Sequence, residues 1–240
     1  MTERQLDLIE VIGGAGARLS THLDWREAAD LVDDEPGLAS RASTVSEAEM
    51  LVYLAEEHHH LKGRPWALGR SHADYLLSRG VDSTSRVLDF GCGAGRVGVH
   101  LIPHLKTGNY VGTDHCLGSL KAFAAYEIPL YGLDRKQPVL LWAGVETLRY
   151  VQPGFTHVLD LFVSMHMNRD QRREHFANVV RLLVEGGRMI SLASGSEVAE
   201  DAREAGMTVA HKETREIPLL WPLQSKKRRD VWVEWQVGGG

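Results

Sequence analysis

Cysteine is scarce in this chain, with two residues in 240, Cys92 and Cys116. A disulfide framework needs several pairs, so the fold has to rest on a buried core, and both thiols are expected free in a reducing compartment. An excess of positive charge is missing too. Lys and Arg number 27 against 32 Asp and Glu, a formal net charge of −5, which leaves no global field for nucleic acid. The one dense basic run, Lys226-Lys227-Arg228-Arg229, reads as a solvated hairpin tip. No apolar stretch approaches the ~18 residues of a membrane-spanning helix, and the opening MTERQLDLIE has no signal-peptide core. A cytoplasmic protein with no membrane and no nucleic-acid partner is therefore expected. Metal-ligand spacing is absent as well. His58, His59 and His60 are adjacent, whereas ligands on one helix face need a spacing of three or four, so the cluster reads as a polar helix end and no metal site is expected.

Turning to what is present, 43% hydrophobic residues with 25% charged can bury a substantial core. The length suits one large α/β domain with an extra segment. The informative stretch is Val87-Leu88-Asp89-Phe90-Gly91-Cys92-Gly93-Ala94-Gly95-Arg96. An apolar strand end runs into three alternating glycines, and a helical pattern follows through Val97, Val99, Leu101 and Ile102. Glycines suit a turn pressed against a ligand, because it demands positive φ and leaves no room for Cβ. Strand, glycine loop and helix make a nucleotide-site entrance. A dinucleotide fingerprint would need glycine or alanine at position 96, where Arg96 stands. Asp89 also puts a carboxylate by the loop, which repels a pyrophosphate and welcomes an ammonium or sulfonium group.

Asp89 to Gly95 resembles motif I of the class I S-adenosylmethionine-dependent methyltransferases, D-x-G-x-G-x-G, and the resemblance extends over roughly residues 65–195. It implies a doubly wound, mostly parallel seven-stranded sheet with an antiparallel last strand, and S-adenosyl-L-methionine as cofactor. The implied cofactor contacts are Asp89, Phe90, Gly91, Cys92, Gly93 and Gly95 from the loop, Asp114 and His115 after the second strand, Gly144 and Val145 after the third, and Ser164 after the fourth.

Asp114 closes the strand pattern Asn109 to Asp114, about twenty residues past the glycines, where a βαβ unit sets a carboxylate over a ribose. It reads either as that ribose acceptor or as a cap of the next helix. A third strand, Val139 to Gly144, lacks the acid that many relatives place at its end, so adenine is expected to meet backbone groups. Phe155 to Met167 reads as the fourth strand and its exit. Asp160 in that apolar run is either paired or the sign of a bulge. His166 falls where the methyl acceptor belongs and reads as general base, as substrate contact or as a structural residue. Met165, Met167, Trp66, Tyr75 and Trp221 are either pocket walls or core.

Residues 1–62 read as mostly helical, a cap or lid, and 63–240 as the cofactor-binding domain. A helix is expected from Ser71, as N-cap, to Arg79, with Gly80 as C-cap and Arg70 or His72 reaching either the methionine carboxylate or the surface. Another spans Arg169–Leu183, with Gly186 as its left-handed cap, and a shorter one runs over 196–205. Met207 to Ile217 and Val231 to Val237 complete the sheet as an antiparallel hairpin.

A sulfonium donor is already electrophilic, so the protein has mainly to align the acceptor, an effect that can supply roughly 7–11 kcal/mol. A hydroxyl also has to lose a proton, for which a histidine is suited. The motif that grips a planar nitrogen, Asn-Pro-Pro-Tyr, is absent after the fourth strand. The expected activity is therefore methyl transfer to a small-molecule acceptor, a hydroxyl of a metabolite or sugar, with His166 as base. The competing readings are a non-catalytic scaffold of the same fold, and N- or C-methylation. A dinucleotide oxidoreductase is disfavoured by Asp89 and Arg96.

Overall fold

Residues 11–13, 68–192, 195–217 and 228–238 are described by a computed structural model. In chain order they form β1 (Val11–Gly13), α1 (Arg70–Ser78), β2 (Val87–Phe90), α2 (Gly98–Leu101) and β3 (Tyr110–Asp114). Then come α3 (Leu117–Ala122), which continues through a π-helical turn into α4 (Ile128–Leu130), and β4 (Val139–Trp142). The remainder is β5 (Phe155–Asp160), α5 (Arg169–Leu182), β6 (Leu183–Leu192), α6 (Gly195–Glu204), β7 (Met207–Ile217) and β8 (Arg228–Val237).

Every residue of β2 and β3 is buried, as strands covered on both faces require. The sheet runs β1-β4-β3-β2-β5-β6-β8-β7. Strands β2 to β6 are parallel, and β8 lies antiparallel between β6 and β7. Seven of these strands form the expected doubly wound arrangement. One apolar cluster, with Leu101, Leu120 and Phe123, and a second, with Phe155, Phe176 and Leu182, cover the sheet. The chain passes from one side of β2 to the other at β5, so the C-terminal ends of β2, β3 and β5 border the crevice where such sheets take ligands.

Some expectations shift. Val11–Gly13 is a strand antiparallel to β4, not helix; Val11 and Ile12 are β-branched and suit an extended edge. The rest of the expected cap, with His58 to His60 and Trp66, lies outside the described residues, as does Trp221. Lys226 and Lys227 do too, while Arg228 and Arg229 open β8 opposite Ile217 and Glu216. Ser71 caps nothing, because α1 begins one residue earlier without a side-chain cap, although Gly80 does take a left-handed φ of 95°. Gly186 is left-handed at φ 73° but does not end a helix. Helix α5 stops at Leu182, and Gly186 sits in a bulge of β6, where Phe155 pairs with Leu183 and His157 with Arg188. A left-handed residue lets the strand bend around its extra residues. Among the described residues no helix is long and apolar enough to cross a membrane.

Candidate active site

The loop after β2 bends through Gly91 (φ 71°), Gly93 (φ 56°) and Gly95 (φ 88°). At Gly91 a Cβ would strike the Val163 side chain, and at Gly95 the Phe123 ring, so conformation and crowding both demand glycine there. The Gly91 and Cys92 amides donate to the Thr113 carbonyl at 2.7 and 2.9 Å, tying the loop to β3.

Two carboxylates underlie this loop. Asp114, last in β3, accepts from the Gly93 amide at 2.8 Å through Oδ2 and from the Cys116 amide at 2.8 Å through Oδ1. The second bond closes a turn onto Cys116, the residue before α3, and caps no amide of that helix. A carboxylate has about four acceptor positions, so this role leaves capacity for hydroxyls. Asp89 lies in β2 below the loop mouth, 3% exposed, and accepts from Tyr110 Oη at 2.7 Å. Burial pushes its pKa up to about 6; the Tyr110 bond opposes this, Asp114 adds to it and Arg96 counters.

The exits of β3 and β4 meet beside the loop. His115 is exposed, with Nδ1 3.6 Å from Asp114 Oδ1, and its carbonyl accepts from Trp142 Nε1 at 2.8 Å. A Cβ on Gly144 would stand 4.0 Å from that of His115. Val145 is buried, its carbonyl taking a bond from Asn178 Nδ2 at 3.3 Å. Cys92 and Cys116 are buried and free, and burial raises both thiols, which leaves them unreactive.

On the opposite side β5 ends at Asp160, which is paired rather than bulged. His175 Nε2 lies 3.2 Å from Oδ2, and the Val163 and Ser164 amides donate to Oδ1 at 3.2 and 3.0 Å. Burial alone would raise the Asp160 pKa; the bond to His175, its charge and the Ser164 bonds outweigh that, and the carboxyl lies below its ordinary value. The His175 ring stacks on Phe90 at 4.4 Å. Phe162 takes a left-handed φ of 71°. Ser164 is buried, and a single 3₁₀ turn, Ser164–His166, carries His166 and Met165 to the surface. Met167 packs against the core instead.

The residues before the loop pack beside it, with Gly69 against the Arg96 carbonyl and the His72 ring 5.8 Å from that of Phe162. Arg70 is exposed, whereas His72 is buried with Nε2 3.0 Å from Asp230 Oδ2. Tyr75 stacks on Trp232 at 3.9 Å and is core. The structure thus brings Asp89, Phe90, Gly91, Cys92, Gly93, Gly95, Asp114, His115, Gly144 and Val145 to adjoining strand ends, with Ser164 and His166 on the turn whose Val163 abuts Gly91. Sequence reading missed Tyr110 and His175. The signals were there: a carboxylate in an apolar run needs a buried partner, and His175 adjoins Phe176 on the packed face of α5.

The family described as "Methyltransferase domain" matches residues 88–189. No curated sequence is similar enough to match the chain. Solved structures share the fold. An S-adenosylmethionine-dependent methyltransferase from Clostridium acetobutylicum ATCC 824 is 14% identical, covering 77% of this chain and 98% of its own, at a TM-score of 0.58. Magnesium protoporphyrin IX methyltransferase from Synechocystis PCC 6803, with S-adenosylmethionine bound, is 16% identical, covering 92% and 100%, at 0.55. The N-methyltransferase NodS from Bradyrhizobium japonicum WM9 is 16% identical, covering 71% and 96%, at 0.53. With its intact glycine loop, the chain matches a methyltransferase domain over residues 88–189 and shares the fold of S-adenosylmethionine-dependent methyltransferases of known structure.

Proposed function

We propose that this methyltransferase acts on a small molecule, a hydroxyl of a metabolite or sugar, with His166 taking the proton. The observation that carries this reading is the position of His166, exposed on the turn after β5 whose Val163 abuts Gly91, with no hydrogen bond to its ring among the described residues. Asp114 would accept the ribose hydroxyls. The glycine amides and Phe90, Cys92, Gly144, Val145, Ser164 and His115 would line the adenosyl group, while Asp89 would favour the cationic end. The bound cofactor supplies an electrophilic methyl on sulfur; the chain orients the acceptor, excludes water and accepts a proton at the His166 ring. The segment before residue 63, apart from the strand Val11–Gly13 that joins the sheet, would form a cap over this site, with 63–240 as the catalytic domain. Two buried free thiols and the acidic balance fit a cytoplasmic enzyme without a nucleic-acid partner.

Nitrogen is the second reading of the acceptor. It is favoured by two structural neighbours, NodS and the glycopeptide N-methyltransferase MtfA, whose names specify N-methylation. Titration calorimetry with S-adenosylmethionine, S-adenosylhomocysteine and NAD tests the cofactor site: the adenosyl ligands are expected to bind at micromolar concentration and NAD not at all. His166→Ala should keep that binding and lose turnover on a hydroxylated acceptor. Unchanged turnover would remove His166 as base and move the nitrogen reading forward.

A further inference from the structure

The turn that follows β5 is anchored at both ends, by Asp160 at the end of β5 and by side chains of α5. At its start, Asp160 is 1% exposed and His175 fully buried. A carboxylate there only accepts, so His175 Nε2 is the donor of their 3.2 Å bond. His175 Nδ1 is buried without a hydrogen-bond partner among the described residues. The Nε2 proton faces Asp160 whether or not the ring is charged. The other carboxylate oxygen takes the Val163 and Ser164 amides. At the end of the turn, Arg172 Nη1 donates to the Met167 carbonyl at 2.8 Å. Asn168 then caps α5 through a reciprocal box with Gln171.

Between these anchors lies Phe162 in a left-handed conformation, with its ring 5.8 Å from that of His72 and facing the Arg96 guanidinium at 6.0 Å. A bulky residue adopts such a conformation only where its surroundings enforce it. Next in sequence, Val163 fills the space that the missing Cβ of Gly91 leaves. A shift of the turn would therefore reach both the glycine loop and His166.

We infer that Asp160 and His175 are positioning residues, a buried pair through which α5 sets the Phe162–His166 turn against the glycine loop. The inference rests on reading that turn as the acceptor side of the site. Neither residue touches the reacting atoms; both act through the amides of Val163 and Ser164.

The test compares the wild type with Asp160→Asn, His175→Phe and His175→Gln by hydrogen exchange and by the NMR ring resonances of His166 and His115. Asp160→Asn and His175→Phe are expected to speed exchange at least tenfold across residues 161–167 while β2 and β6 exchange as before. His166 resonances should move and those of His115 stay in place. His175→Gln, which restores a donor, should bring both readouts back towards wild type. Should Asp160→Asn fail to fold, His175→Phe carries the test alone, because it keeps a stacked ring on Phe90. Unchanged exchange in the turn, or a uniform rise throughout the sheet, overturns the inference. Protection of residues 89–95 by S-adenosylhomocysteine in the wild type is read separately, so failure of the cofactor site is distinguishable from failure of the pair.

Discussion

Asp89 is the residue whose chemistry is most exposed to pH. Its folded pKa of about 6 stands above the ordinary 3.8, so folding favours its protonated form. The cost of burying the charge is absent below pH ~4, grows as pH rises and is complete above about 6. At ~1.4 kcal/mol per unit the full cost is up to about 3 kcal/mol. Asp89→Asn should therefore stabilise the ligand-free protein at pH 8 and not at pH 4, as read from urea midpoints at both. A cationic ligand reverses the preference, because its charge favours the ionised form. S-adenosylmethionine affinity should fall as pH drops through about 6, and the Asn variant should bind more weakly with a flatter profile. Isothermal titration at pH 5 and pH 8 checks both. The sequence showed that a carboxylate stood beside a glycine loop, but not that it lay within the strand with Tyr110 donating to it. Local spacing does not encode which neighbouring strand supplies the donor.

At the scale of elements, α5 binds the second half of the domain together. Besides the turn, it holds α6: Arg172 and Asp201, both nearly buried, form an ion pair, and Arg169 joins it at 3.3 Å. Without Asp201, Arg172 keeps the exposed Glu197 carboxylate at 3.5 Å and the Met167 carbonyl, so its charge is not left stranded. Asp201→Ala should lower stability by about 2 kcal/mol in urea unfolding. Asn168→Ala removes the capping box at an exposed helix end and should cost only about 1 kcal/mol. Most of these elements were legible because strong periodicity marks them. The β2 run, the glycine-bounded helices and the final hairpin lie close to their expected spans. The misses share one cause. Gly186 carries the same left-handed signal in a strand bulge as at a helix end, and only the pairing of β5 with β6 tells the two apart. Likewise, Val11–Gly13 becomes a strand because β4 offers an edge, a tertiary reason that no local pattern contains.

At the scale of the whole molecule, the candidate site draws on segments far apart in sequence, from Asp89 to His166, and rests on a sheet covered with two apolar clusters. A ligand that binds only this assembly must stabilise all of it by mass action. At about a hundred times its dissociation constant the gain is ~2.7 kcal/mol. For a chain of this length each kcal/mol moves the melting temperature by roughly 2–4 °C. S-adenosylhomocysteine should accordingly raise the melting temperature by about 5–10 °C, and NAD by nothing. Asp114→Ala should abolish the rise, since the ribose would lose its acceptor. The variant also loses the bonds from the Gly93 and Cys116 amides, so its ligand-free melting temperature should fall as well. Differential scanning calorimetry separates the two effects: the ligand-free shift reports the loop's anchor, and the ligand-dependent shift reports the cofactor. A full ligand shift in Asp114→Ala would mean that the ribose is held elsewhere and that Asp114 serves only to tie the glycine loop to the turn before α3.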